Sequence, residues 1–405
     1  MTPFDRDQSQ PATGPSRRDF LKAGSTALAL GAVAGSSPAT TARAAQPAPK
    51  PAQGEAEWRN KQSGMAYRRL GRTNLMVSEV VCGGDPITLE NYKHLEIALE
   101  MGLNYLDMAP AYNKGDTERA YGKLLAESSG RRDKVFLTTK VSDFTRVRNG
   151  MYQEILDGLP GDKQAAIRKR AEELKAERGV EAPGYFLEYF PGERKSFEPF
   201  YIRLAMMEQY GAKVEGSSKL REVILNSVEG SLKRVGVDQF DILMCPHGAN
   251  TPEDLTPELA EVFAELKRQG KVRFLGVTSH NDPAGVLRRA ADVGHYDVAM
   301  VAYNVINGGF LDGAIRHAAS KDMGLIAMKA AHAVATHHKE LQPVPAWRVA
   351  KVQQIVPGPE HPALKAYLWA LQNPRIAAVI SNLWDDKYVK ENLALAGRKV
   401  EFHSA

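Results

Sequence analysis

Asp107, Tyr112, Lys140 and His247 are of the types that move protons and hold polar groups, and three of them end apolar runs. Asn104-Tyr105-Leu106-Asp107 ends in a carboxylate, Phe136-Leu137-Thr138-Thr139-Lys140 in an ammonium, and Asp241 to His247 in an imidazole. If these runs are strands of one parallel sheet, their ionisable ends meet on one face, and such a cluster describes a site. Tyr112 lies five residues beyond Asp107, in the loop over that same face. A free phenol has a pKa of about 10, too high to give up a proton readily at neutral pH. A neighbouring Lys140 cation is expected to lower it by stabilising phenolate, with Asp107 holding the ammonium charged and oriented. His247 is suited to hydrogen-bond a carbonyl and to fix its approach to the tyrosine and to a hydride donor.

The elements that must position these groups alternate. β-rich runs occur at 77–82, 104–108, 135–140, 240–246, 272–278, 298–303, 325–329 and 377–380. Amphipathic stretches lie between them, at 89–101, 116–127, 220–235, 257–269, 283–293 and 309–322. Strict alternation with eight strands predicts an α/β fold, a (β/α)8 TIM barrel. An open doubly wound sheet is disfavoured, because no Gly-x-Gly-x-x-Gly turn follows the first strand. Residues 67–75 read as a small hairpin ahead of the repeat.

Two segments break the rhythm. Between the third strand and its helix, 143–219 runs for roughly 75 residues where such connections usually take a handful. It holds a charged helix, 163–178, and then an aromatic stretch with Tyr185, Phe186, Tyr189, Phe190, Phe197, Phe200 and Tyr201. A second long loop, 330–361, follows the seventh strand.

The first 45 residues read as an export signal rather than as fold. Ser16-Arg17-Arg18-Asp19-Phe20-Leu21-Lys22 precedes a weakly apolar stretch, 23–35, and Ala42-Arg43-Ala44. That is a basic region, a short apolar region and a small-residue cleavage site, and the paired arginines resemble a twin-arginine signal. Delivery by the twin-arginine machinery, to the periplasm, is the expectation, with no stable membrane span after processing. Residues 46–64 read as a solvated linker and 65–400 as the barrel.

Composition narrows the partners. A net charge of +5 over 405 residues, without Lys/Arg runs interleaved with aromatics, argues against nucleic acid. Two cysteines, Cys82 and Cys245, exclude a disulfide framework or a four-cysteine zinc site. His332, His337 and His338 fall in one loop, but no Cys or acidic residue stands at ligand spacing, so no metal is expected there. His280 follows a strand end and is expected to line the site.

On these motifs the chain resembles the aldo-keto reductase family. Asp107-Met108-Ala109-Pro110-Ala111-Tyr112 with Gly115-Asp116-Thr117-Glu118 and Gly122 is similar to that family's motif after the second strand. Thr138-Thr139-Lys140, Asp241-Ile242-Leu243 with His247, Gly276 to His280, and Tyr303-Asn304 match its later strands in order and spacing. The resemblance implies that Asp107, Tyr112, Lys140 and His247 form a catalytic tetrad, with tyrosine as acid/base and nicotinamide as hydride carrier. It implies a small carbonyl or alcohol substrate.

Cofactor positions depart from the family's pattern. Thr278 and Ser279 keep hydroxyls where asparagine is usual in the pair, Met300 stands for a glutamine, and Met328 for a stacking tyrosine in some members. Ser381-Asn382-Leu383-Trp384-Asp385-Asp386 replaces the usual proline and small hydroxyl residues, while Glu391-Asn392 matches the adenine-side pair. The resemblance therefore implies NADP or NAD. Lys387 and Lys390 incline the expectation to NADP, with Asp385 and Asp386 opposed. Two other readings stay open on the residues: a nucleotide-binding barrel that senses rather than catalyses, and a metal-dependent barrel hydrolase.

Overall fold

The computed structural model describes residues 54–190, 192–336 and 343–403, so the expected signal, with Arg17 and Arg18, lies outside the described residues. Eight parallel strands close into a barrel: β4 Val80–Gly83, β5 Tyr105–Asp107, β6 Phe136–Lys140, β7 Phe240–Met244, β8 Val272–Ser279, β9 Val298–Ala302, β10 Gly324–Met328 and β11 Ala378–Asn382. β11 pairs with β4 and completes the ring. Helices α1 Leu95–Glu100, α2 Asp116–Ala126, α6 Ser218–Val235, α7 Pro257–Arg268, α8 Pro283–Val293, α9 Gly308–Ser320, α11 Pro362–Leu371 and α12 Asp386–Leu393 alternate with the strands. The expected TIM barrel is the fold.

Strand periodicity sorts the core into two layers. Val81, Tyr105, Phe136, Ile242, Met244, Val298, Met300 and Ile326 face inward and fill the barrel. Their neighbours Val80, Cys82, Leu106, Leu137, Leu243 and Val277 face outward and pack under the helices. Because side chains alternate along a strand, Asp107 shares inward parity with Tyr105, and Lys140 shares it with Phe136.

The run 77–82, expected as one strand, is divided. β3 Leu75–Ser78 belongs to a small sheet, and β4 begins the barrel at Val80. Glu79 marks the corner, where its carboxylate accepts from Arg68 Nε at 2.6 Å. The expected hairpin is present as β2 Tyr67–Arg69 antiparallel to β3, and β1 Glu57–Trp58 adds to β3 in parallel. Residues 57–59, read from composition as linker, thus join the fold. Arg59 donates to the buried Asp241 carboxylate at 3.2 Å, and Leu70, Leu75 and Val77 pack into the inner core.

The long segment after β6 holds three helices, α3 Phe144–Asp157, α4 Gly161–Arg178 and α5 Phe197–Val214. Only α4 was expected, because the aromatic spacing of 197–201 masks a helix. A buried ion cluster fastens the segment to the barrel. Arg148 of α3 donates to Asp254, beyond β7, at 2.9 Å and to Glu215 at 2.8 Å, and Arg203 of α5 also pairs with Asp254. Breaking a buried pair of this kind from one side typically costs about 3–5 kcal/mol. α10 Ala346–Ile355 lies in the loop after β10.

Candidate active site

Register brings the first two groups together. Asp107 of β5 lies opposite Thr138 of β6, one inward position before Lys140. Lys140 Nζ donates to Asp107 Oδ1 at 2.5 Å and to the Met108 carbonyl at 3.0 Å. Both side chains are buried. Burial pushes the Asp107 carboxyl up and the Lys140 ammonium down, and their mutual attraction opposes both shifts.

Tyr112 is held by the turn that leaves β5. Its N–H donates to the Ala109 carbonyl at 3.0 Å, and the next three residues, Asn113, Lys114 and Gly115, have φ of 48°, 57° and 86°. Such left-handed residues carry strain unless tied down. Here Asn113 Nδ2 donates to the Asp85 and Ile87 carbonyls at 2.8 and 3.1 Å, joining the turn to the loop after β4. Gly84 permits the close approach of that loop, since a Cβ there would lie 2.1 Å from the Asp107 carbonyl oxygen.

The Lys140 ammonium stands over the Tyr112 ring, 4.5 Å from its centroid, and the His247 ring meets Tyr112 edge-on at 6.0 Å. The four side chains expected from the sequence are therefore brought together at one barrel mouth. The electrostatics differ from expectation in one respect. Burial, then the Asp107 and Asp85 carboxylates, push the Tyr112 phenol well above its ordinary value. The Lys140 ammonium, paired with Asp107, does not outweigh these effects. Burial, then Lys140 and His280, hold His247 well below the ordinary imidazole value, so this ring is neutral at physiological pH.

A cleft of about 860 Å³ runs from this cluster past Thr278, Met300, Met328 and Asn382 to Tyr388, Asn392 and Arg398. That volume lies within the range of small-molecule sites. Thr278 accepts from the Gly248 N–H at 2.7 Å. Ser279 and Ser381 are fully buried and are not among the lining residues. Ser381 Oγ instead accepts from Asn392 Nδ2 at 2.7 Å, which orients Asn392 and leaves its carbonyl oxygen as an acceptor. Strand alternation explains the division: along β11, Ile380 and Asn382 line the cleft and Ser381 faces the helices.

At the far end the cations have carboxylate partners. Arg398 donates to Glu360 at 2.5 Å, and Lys387 lies 4.0 Å from Glu391. Asp385 caps α12, accepting from the N–H groups of Lys387 and Tyr388 at 2.9 and 3.1 Å. Lys390, on the same helix, is not among the lining residues.

The aromatic stretch of the long segment supplies one wall of the site. Phe190 and Glu193 border a second recess of about 440 Å³ that shares His247, Gly248 and His280 with the main cleft. Glu193 pairs with His280, just beyond β8, at 2.5 Å. Burial works to raise the Glu193 carboxyl, and the His280 contact overrides it, leaving it below its usual range. Asn304, after β9, donates to Tyr189 Oη at 2.9 Å, and Lys329, after β10, stands 3.8 Å from the Phe190 ring centroid. His332 packs on Tyr189 and Phe190, while His337 and His338 lie outside the described residues. Among the described residues no group of three or more His, Cys, Asp or Glu side chains is arranged to hold a metal ion. No described helix is long and apolar enough to cross a membrane.

Comparison with known proteins identifies the family. Residues 88–401 match the model of the Aldo/keto reductase family. The uncharacterized oxidoreductase YrpG of Bacillus subtilis (strain 168) is 24% identical over 356 residues, 78% of this chain and 86% of that one. The NADH-specific methylglyoxal reductase of Escherichia coli (strain K12) is 24% identical over 251 residues, 59% of each chain. The aldo-keto reductase AMT2 of Alternaria alternata is 26% identical over 231 residues, 54% of this chain and 51% of that protein. The chain thus spans about half to three fifths of the length of these last two relatives. In three dimensions it is similar to the holo form of aldo-keto reductase AKR11C1 from Bacillus halodurans, with a TM-score of 0.55 and 19% identity over 83% of this chain and 92% of that one. With a family match over most of its length and the family's barrel, the chain belongs to the aldo/keto reductase family and is an NAD(P)-dependent oxidoreductase.

Proposed function

We propose that the chain interconverts a small carbonyl compound and its alcohol, with Tyr112 as the proton donor and acceptor. The observation that carries this reading is the convergence of Tyr112, the Lys140–Asp107 pair and a neutral His247 at one end of a cleft of about 860 Å³. A bound nicotinamide supplies or accepts the hydride. The residues present fit such a group: Thr278 and Asn382 border the near end, and Asn392 offers a fixed carbonyl acceptor at the far end. His247 orients the carbonyl oxygen by a hydrogen bond. Tyr112, held protonated, hands its proton to that oxygen as it becomes an alkoxide, a stronger base than phenolate. The Lys140 ammonium then stabilises the phenolate left behind, and Asp107 keeps the ammonium in place.

For the nucleotide, NAD(H) is the form proposed, against the inclination toward NADP drawn from the lysines. Lys387 and Arg398 already have carboxylate partners, and a 2′-phosphate would have to displace one of them. Export before use, from the Arg17-Arg18 signal, remains part of the proposal and rests on the sequence alone. The test of function is direct. Purified protein is titrated with NADH while its nicotinamide fluorescence is followed, and then assayed with a panel of small aldehydes and ketones. Binding without turnover of any substrate would favour the sensor reading, in which no proton donor is needed.

A further inference from the structure

Ser142 stands two residues beyond Lys140, where the chain leaves β6 for α3. Its Oγ lies 3.0 Å from His247 Nδ1 and accepts a hydrogen bond from the Ala111 N–H at 3.4 Å. One hydroxyl thus touches both the backbone beside Tyr112 and the ring of His247.

The direction of the Ser142–His247 bond decides what His247 can do. A neutral imidazole has one N–H, and the hydrogen bond made by one nitrogen fixes whether the other donates or accepts. If Nδ1 carries the hydrogen, Nε2 is an acceptor and repels a carbonyl oxygen. If Ser142 donates to Nδ1, the hydrogen sits on Nε2 and can be offered to that oxygen. Among the hydrogen bonds of the described residues, Nδ1 is the acceptor available to the Ser142 hydroxyl, while the Ala111 N–H occupies an acceptor site on the same oxygen. The serine oxygen could accept from both groups, but its own hydrogen would then have no acceptor among these bonds. When Ser142 donates to Nδ1, the hydroxyl hydrogen and both contacts are satisfied together.

We infer that Ser142 is a positioning residue that holds His247 in the tautomer bearing hydrogen on Nε2, and that it ties this choice to the Tyr112 turn through Ala111. The inference rests on the proposed role of His247 toward a carbonyl. The charged and titratable groups facing His247 are Lys140 and His280, with the Tyr112 ring at its edge. None of them reaches Nδ1 in place of Ser142 among the hydrogen bonds of the described residues.

The full chain labelled with 15N-histidine reports the tautomer through its ring nitrogen and carbon-bound proton correlations, with His247→Gln assigning the signals. In the native protein His247 is expected as the Nε2–H form. Ser142→Ala should mix the two tautomers and lower kcat about tenfold, the effect of one hydrogen bond, with a smaller change in KM. Ser142→Thr, which keeps the hydroxyl, should restore both. An Nδ1–H form in the native protein, an unchanged tautomer in Ser142→Ala, or no restoration by threonine overturns the inference. If no carbonyl compound is turned over by the native protein, the functional reading fails, and the tautomer still decides the role of Ser142.

Discussion

Lys140 Nζ lies 2.5 Å from Asp107 Oδ1, and the two charges are buried together beneath the Tyr112 ring. Removing either partner leaves the other charge buried and unpaired. Lys140→Met or Asp107→Asn is expected to lower unfolding stability by about 3–5 kcal/mol. The double variant should lose less than the sum of the two, since neither charge then remains alone. Urea unfolding of the four proteins at pH 7 measures this. Strictly additive losses would mean that the pair is not coupled.

A raised Tyr112 pKa has opposite consequences for the two directions of reaction. Carbonyl reduction needs the phenol, which stays protonated below its raised pKa, so its rate should be flat from about pH 6 to 9. Alcohol oxidation needs phenolate, which is scarce below that pKa, so its rate should climb about tenfold per pH unit over the same range. Tyr112→Phe should remove both activities by roughly 10² to 10⁴ while leaving nucleotide binding intact. Reduction that falls away above pH 8 would show a phenol of lower pKa than the site dictates.

Much of this arrangement is legible in the residues. Period-two patterning sends Asp107 and Lys140 inward at the ends of neighbouring strands, and parallel topology puts those ends on one face. The same logic could have separated Thr278 from Ser279 and Asn382 from Ser381, since adjacent strand residues cannot both face the cleft. Other features have no local signal. Arg59 reads as part of a polar linker, and only its distance to Asp241, 182 positions away, gives it a role. The split between β3 and β4 at Glu79 is invisible in a run whose neighbours are mostly apolar. Ser142 is an ordinary loop serine until His247 arrives beside it from β7.

The proposed preference for NADH rests on the paired cations at the far end of the cleft. NADH is expected to bind at least about tenfold more tightly than NADPH, equivalent to about 1.4 kcal/mol. Glu360→Gln leaves Arg398 without its carboxylate partner and should narrow that ratio by strengthening NADPH binding. Calorimetric titration of both nucleotides into both proteins checks this. A native preference for NADPH would return the assignment to the lysine-based expectation.

Export is tested in cells. Replacing Arg17 and Arg18 together by lysine keeps the charge and removes the paired guanidinium groups. The variant should stay in the cytoplasm with its N-terminus intact, while the native chain is recovered outside it, beginning near Ala45. Equal delivery of both proteins would sink the twin-arginine reading.

The wall contributed by the segment after β6 is proposed to govern how long a nucleotide stays. Glu193 reaches His280, Tyr189 meets Asn304, and Phe190 lies under Lys329, so one short stretch is tied to the ends of β8, β9 and β10 beside the cleft. The base of the segment is fixed separately by Arg148 and Arg203 on Asp254, so loosening the wall need not unfold the segment. Glu193→Gln removes the charge that His280 holds. Its depressed pKa means that the native contact strengthens folding above the ordinary glutamate value and is lost as pH falls through the folded value. Amide protection in residues 185–200 should therefore fall in the variant at pH 7, and in the native protein on acidification once the intrinsic slowing of exchange at lower pH is divided out. Affinity differences among related complexes lie mostly in dissociation, so NADH release followed by stopped-flow fluorescence should be several-fold faster in the variant, with association little changed. Faster amide exchange with unaltered release would separate the wall from nucleotide retention and leave it a substrate-side boundary alone.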